Sequence, residues 1–172
     1  MPMQNHFELF HLPVLFAVDS TALDQAYHDV QNQVHPDKFS TASDAEKRVA
    51  MQWATRANEA YQTLKNPLKR AAYLCELHGI DLQIESNTAM PPGFLMQQME
   101  WREALDDVRG ARDLAALEAL DGKLRTNRNA EVARIAMALD AGDFAAAALG
   151  VRQLMFVEKF GDEVSASFEL LD

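Results

Sequence analysis

His35-Pro36-Asp37-Lys38-Phe39 is the stretch whose reading decides the fold. A proline cannot continue a helix, because it lacks an N–H and its ring collides with the preceding turn, so these residues form a turn that presents side chains. Upstream, Leu23, Tyr27, Val30 and Val34 follow one another at the spacing of a single helix face. Asp19, Ser20 and Thr21 offer caps for a helix that begins near residue 21 and that Pro36 ends. Downstream, Thr41 or Ser43 can cap the next helix, and Ser43 with Glu46 fits a capping box. That helix carries Val49, Trp53, Ala57, Ala60, Tyr61 and Leu64 on one side and stops at Asn66-Pro67. Another starts at Pro67, holds Leu68, Ala71, Ala72, Leu74 and Cys75, and ends at Gly79, a natural residue for a helix C-terminus. Ahead of them all, Phe7 to Leu12 is a short apolar stretch ended by Pro13, enough for one or two helical turns. Read as residues only, the tripeptide has two roles open to it. Asp37 caps the following turn while His35 packs at a helix end, or both side chains are presented to a partner.

Residues 80–92 read as a linker, with polar Ser86-Asn87-Thr88 followed by Met90-Pro91-Pro92. Beyond it, three helices are expected over about 93–109, 111–139 and 142–170, broken near Gly110 and at Asp140-Ala141-Gly142, and packed antiparallel. Gly150 and Gly161 weaken the last of these, at about 1 kcal/mol each relative to alanine. On the first, Phe94, Trp101, Leu105 and Val108 make a core stripe, and Leu95, Met96 and Met99 lie off it. Met96, Glu100, Glu103 and Asp107 run along a neighbouring line, so an apolar patch passes into a row of carboxylates. In the last helix Phe144, Ala148, Val151 and Met155 form the core stripe, with Phe156 turned off it. The off-stripe residues either form an exposed protein-binding surface, for which adaptable methionines are suited, or pack as core in a bundle whose helices are covered on two sides.

The chain has 172 residues and few Gly or Pro, 7 and 6, which favours helix over sheet. Its formal charge of −10 argues against nucleic acid or an anionic membrane as partner. The charge is uneven: residues 1–78 hold 9 acidic and 7 basic residues, residues 79–172 hold 17 and 9, so the two halves face different partners. Cys75 is the single cysteine, which excludes an internal disulfide, and its apolar helical setting marks it as a small core residue. No apolar run approaches the roughly 20 residues of a membrane-spanning helix, and no Lys or Arg precedes Lys38, so a signal or transit peptide is not expected. The five histidines show no zinc spacing, and no Gly-rich loop with its lysine could cradle nucleotide phosphates. Neither enzymatic activity, nor a bound cofactor, nor a metal site is expected.

A helix, then His35-Pro36-Asp37, then a helix ending Asn58-Glu59-Ala60-Tyr61-x-x-Leu64-x-x-Pro67-x-x-Arg70-x-x-Tyr73 resembles a J-domain. With Pro-Asp-Lys-Phe at the turn, Tyr73-Leu74, and Phe94-Leu95-Met96-x-x-Met99-Glu100-x-x-Glu103 in the second half, the chain is similar to the HscB-type co-chaperones of iron–sulfur cluster assembly over essentially its whole length. The resemblance implies an all-α protein with a J-domain over residues 1–79, the linker at 80–92, and a three-helix scaffold-binding domain over 93–172. It implies that the first domain docks on a DnaK-class ATPase of the HscA type through His35, Pro36, Asp37 and Lys38 and stimulates ATP hydrolysis. It also implies that Leu95, Met96, Met99, Glu100, Glu103, Asp107 and Phe156 hold an IscU-type scaffold, in the bacterial cytoplasm. The alternative is a general J-protein recruiting other clients, although no Gly/Phe-rich segment or zinc-binding Cys repeat is present. One departure stands out. J-domains commonly carry Lys or Arg on the helix before the tripeptide, and residues 21–34 have none; Val34 stands where an aromatic is usual. Steering toward an acidic ATPase surface would then be weaker, or moved to Lys38, Lys47 and Arg48.

Overall fold

The computed structural model describes residues 4–82 and 90–171. The central part of the expected linker, residues 83–89, lies outside the described residues. Among those described, every regular element is helical: α1 (His6–Leu9), α2 (Ser20–Gln33), a 3₁₀ turn (Pro36–Phe39), α3 (Asp44–Lys65), α4 (Pro67–Leu77), α5 (Pro92–Ala111), α6 (Leu114–Asp140) and α7 (Phe144–Leu171). The chain divides into two compact units, residues 1–74 and 75–172, with the division inside α4.

In the first unit the caps are supplied by short polar side chains. Asn5 accepts from the Glu8 N–H and Glu8 answers the Asn5 N–H, closing a capping box on α1. Asp19 accepts from Thr21 and Ala22, so α2 starts at Ser20. Of the two candidates before α3, Ser43 is the cap, its Oγ accepting from the Glu46 N–H. Asn66 accepts from Leu68 and Lys69 ahead of α4, whose first residue is Pro67. At the far end Gly79 takes φ +77° while the Ile80 N–H reaches back to the Cys75 carbonyl, the hydrogen bond of a glycine-terminated helix. The core of this unit is Phe7, Leu9, Phe10, Phe16 and Leu23 against Ala57, Ala60, Leu64, Ala71 and Leu74. The three small alanines let α1 and α2 approach the α3–α4 surface closely.

The expected stripe of α3 holds only from Ala57 onward. Val49 is 51% and Trp53 36% exposed, so the first turns of this helix extend past what α1 and α2 cover. Periodicity identifies residues that share a face, and it leaves open how far a neighbouring helix reaches along it.

In the second unit α6 and α7 form the main antiparallel pair, and α5 packs across both. Trp101, Leu105 and Val108 from α5 meet Leu117, Leu120, Leu124 and Ile135 from α6, and Val151, Leu154, Val157, Phe160 and Val164 from α7. The buried face of α7 therefore runs through Ala147, Val151, Leu154 and Val157, while Phe144 and Met155 are only half-buried, a rotation from the expected stripe. The break expected near Gly110 falls instead at Arg112, in the left-handed region at φ 50°, with Asp113 capping α6 through the Ala116 N–H. Arg112 is held there by donation to the Leu170 carbonyl oxygen. Neither Gly150 nor Gly161 interrupts α7. At Gly150 a Cβ would lie 2.6 Å from Ile135 Cγ1, so the missing side chain is what lets α6 and α7 close together.

Candidate functional site

Two surfaces, one in each unit, carry the residues singled out by sequence. On the first, α2 ends at Val34 and the chain turns extended at His35 (φ −59°, ψ 136°) before Pro36 opens the 3₁₀ turn. The His35 ring is the cap of that turn: its Nδ1 accepts from the Asp37 N–H at 3.2 Å, and its carbonyl accepts from the Lys38 N–H at 3.0 Å. In the tautomer that accepts this bond, the ring carries its hydrogen on Nε2. The Asp37 carboxylate lies 3.5 Å from the same nitrogen. Capping thus belongs to His35 and not to Asp37, which leaves the Asp37 carboxylate free to face outward. His35, Pro36, Asp37 and Lys38 are all exposed.

Side chains tie together the hairpin behind the turn. Tyr27 on α2 stacks on Tyr61 on α3, the Tyr27 hydroxyl bonds Asn58 Oδ1, and Gln31 Nε2 donates to the Tyr27 hydroxyl at 2.8 Å. The absent basic face of α2 is visible here, since Asp24 accepts from the Tyr61 hydroxyl at 2.6 Å and Asp29 accepts from Gln25.

On the second unit, Leu95, Met96 and Met99 are 48%, 62% and 64% exposed, and Phe156 on α7 is 48% exposed. They are outside the unit's core. Glu100, Glu103 and Asp107 are exposed beside them along α5. At 100° per residue and counting from Leu95, Met99 lies about 40° round the helix, Glu103 about 80°, Met96 about 100° and Asp107 about 120°, so Met96 stands within the row of carboxylates. The rotation of α5 is fixed by contacts to α7: Trp101 stacks on Phe160 at 5.9 Å, Arg102 pairs with Glu163 at 3.1 Å, and Arg109 Nε donates to Ser167 Oγ at 2.7 Å. Phe94 meets Phe156 edge-on at 6.4 Å and props it at the rim. The supporting role of Phe94 escaped the sequence reading, which placed it in the core stripe.

Cys75 is buried, and that burial pushes its thiol up, with Glu76 adding to the shift and Arg152 opposing it, so it holds little thiolate. Among the described residues no cluster of His, Cys, Asp and Glu could hold a metal ion, and no helix is long and apolar enough to cross a membrane.

Residues 90–165 match the family model of the HSCB C-terminal oligomerisation domain. Over 168 residues, 98% of the chain and 96% of the relative, the sequence is 58% identical to the co-chaperone protein HscB homolog of Burkholderia cenocepacia. Chaperone HscB from Vibrio cholerae superposes with a TM-score of 0.87 at 39% identity, covering 98% of this chain and 100% of that one. Human co-chaperone protein HscB gives 0.90 at 28% identity, over 96% and 83%.

Proposed function

Because the chain belongs to the HscB family of co-chaperones, we propose that it delivers an IscU-type iron–sulfur scaffold to an HscA-type, DnaK-class chaperone and stimulates that chaperone's ATPase in the bacterial cytoplasm. The observation that carries this reading is the exposed, self-capped turn. His35 uses one ring nitrogen to hold the turn and keeps Nε2–H for a partner, while Asp37 offers a carboxylate that an arginine can grip with paired charge-assisted bonds. Pro36 fixes the backbone between them and reduces the entropy lost on docking.

The scaffold is held by the second unit. Leu95, Met96, Met99 and Phe156 supply an apolar centre of about the composition found in protein interfaces, and Glu100, Glu103 and Asp107 a charged edge that selects a basic partner surface. A general J-protein recruiting unfolded clients is the second reading; the fixed patch with a one-sided acidic rim favours a single folded client.

The test combines two measurements. His35→Gln, which cannot cap and present a donor in the same way, is expected to abolish ATPase stimulation in a folded protein; stimulation equal to wild type would sink the docking role. A pull-down against the IscU-type scaffold separates the dedicated co-chaperone, which retains it, from the general one, which does not.

A further inference from the structure

The first turns of α3 carry apolar side chains, Val49 and Trp53, that the described residues of the first unit leave exposed. Val49 and Trp53, with Val34, Phe39 and Ala45, line an open hollow in which Glu46 is the one charged residue. The hollow adjoins the docking turn directly: Val34 precedes His35, and Phe39 closes the 3₁₀ turn. Trp53 is held in place, since the Arg56 guanidinium lies 5.1 Å from its ring centroid and donates to the Gln4 carbonyl oxygen. A fixed, half-exposed indole beside a branched aliphatic is the kind of anchor that dominates protein interfaces.

The seven cations of this unit fall into two sets. Arg56, Arg70 and Lys65 are engaged, with the Gln4 carbonyl, the Leu64 carbonyl and the Tyr61 ring respectively. Lys38, Lys47, Arg48 and Lys69 are exposed and have no ion pair among the described residues. Lys69 lies on α4, whereas Lys38, Lys47 and Arg48 belong to the segment that forms the turn and the start of α3, flanking Phe39 and Val49 in sequence, and α2 supplies no Lys or Arg at all.

We infer that this hollow is a second contact for the same ATPase chaperone, receiving an apolar side chain from a segment of that partner whose carboxylates meet Lys38, Lys47 and Arg48. The inference rests on the proposed docking through His35-Pro36-Asp37 and extends it: the positive charge missing from α2 is relocated to the start of α3, next to an apolar socket.

The experiment titrates the full-length chain into the purified HscA-type chaperone of the same organism and follows ATP hydrolysis. Val49→Ser, at an exposed position that keeps the fold, is expected to raise the half-maximal concentration roughly three- to tenfold at an unchanged plateau, and Val49→Thr to shift it in the same direction. Lys47→Gln combined with Arg48→Gln is expected to raise it at low salt and to flatten its dependence on ionic strength. Wild-type titration by both Val49 variants, alongside loss of stimulation by His35→Gln, overturns the socket and leaves the tripeptide docking standing. Full stimulation by His35→Gln overturns the docking and the socket together. If Val49→Ser converts a dimer to a monomer in light scattering while the titration stays unchanged, the hollow joins two copies of this chain and the inference fails.

Discussion

The ring of Tyr27 lies flat against the ring of Tyr61, with centroids 4.1 Å apart and 11° between the planes. Each hydroxyl then crosses to the opposite helix, Tyr27 to Asn58 and Tyr61 to Asp24, so two side chains clamp α2 to α3 in both directions. Lys65 sits 5.1 Å from the Tyr61 centroid, and its hydrogen bond to the Tyr61 oxygen raises its pKa, with Asp24 adding to the shift. Tyr61→Phe should cost about 0.5–1 kcal/mol through the lost bond to Asp24, and Tyr61→Leu about 1–2 kcal/mol once the stack is gone as well. Thermal unfolding reads both, and the order of the two variants is the check.

Leu95→Ala with Met99→Ala removes apolar surface that the folded chain exposes. Stability should stay within about 0.5 kcal/mol of wild type, because no core contact is lost. Scaffold affinity, by calorimetry, should fall by at least about tenfold. Stimulation of the ATPase in the absence of scaffold should be unaffected. A loss of stability instead of affinity would return these residues to a packing role.

Gly150→Ala sets helix propensity against space. The gain of about 1 kcal/mol from replacing a helical glycine is outweighed by forcing apart the buried pair it joins, at about 1–3 kcal/mol. Ile135→Ala deletes the Cγ1 atom that the new methyl meets at 2.6 Å. In that background Gly150→Ala should become neutral or stabilising, a reversal of sign that denaturant unfolding would show.

Arg112 is a non-glycine residue at φ 50° between α5 and α6. Arg112→Gly relieves a left-handed conformation worth about 1 kcal/mol and loses one exposed hydrogen bond to the Leu170 carbonyl, so a net gain of a few tenths to about 1 kcal/mol is expected in unfolding free energy.

Burial holds the His6 imidazole below its usual value, and Arg56 assists while Glu59 opposes. The folded chain therefore binds this proton less readily than the unfolded chain. The stability it contributes is complete above the unfolded pKa of 6.5 and is lost as pH falls through that value, levelling off below the folded pKa. His6 stacks on Tyr73 at 4.3 Å, so His6→Phe keeps the stack and removes the titration. Between about pH 7.5 and pH 5, urea midpoints of this variant should decline less steeply than those of wild type.

The turn, the caps and the helix order were legible in the sequence because each depends on a few adjacent residues: Pro36 ends α2, Ser43 starts α3, Gly79 ends α4. What escaped depends on neighbours distant in sequence. Val49 and Trp53 share a stripe with Ala57, yet their exposure is set by where α1 and α2 stop. Gly150 reads as a helix weakness until Ile135 is placed against it. Gly110 drew the break that Arg112 actually makes, since a tertiary hydrogen bond to Leu170 can hold an arginine where local preference favours glycine. In the site, the identity of the turn residues was readable, whereas the capping role of His35 and the propping of Phe156 by Phe94 required coordinates.

The bond from the Asp37 N–H into the His35 ring has a kinetic meaning. If this turn docks on the ATPase as proposed, its own capping bond and Pro36 reduce the ordering that encounter requires. Its association rate is then governed by collision and charge, and about 0.5–1.5 kcal/mol per side chain of immobilisation is absent from the cost of binding. In the proposed role, a contact that has to form and release within one nucleotide cycle would gain speed from a turn shaped in advance.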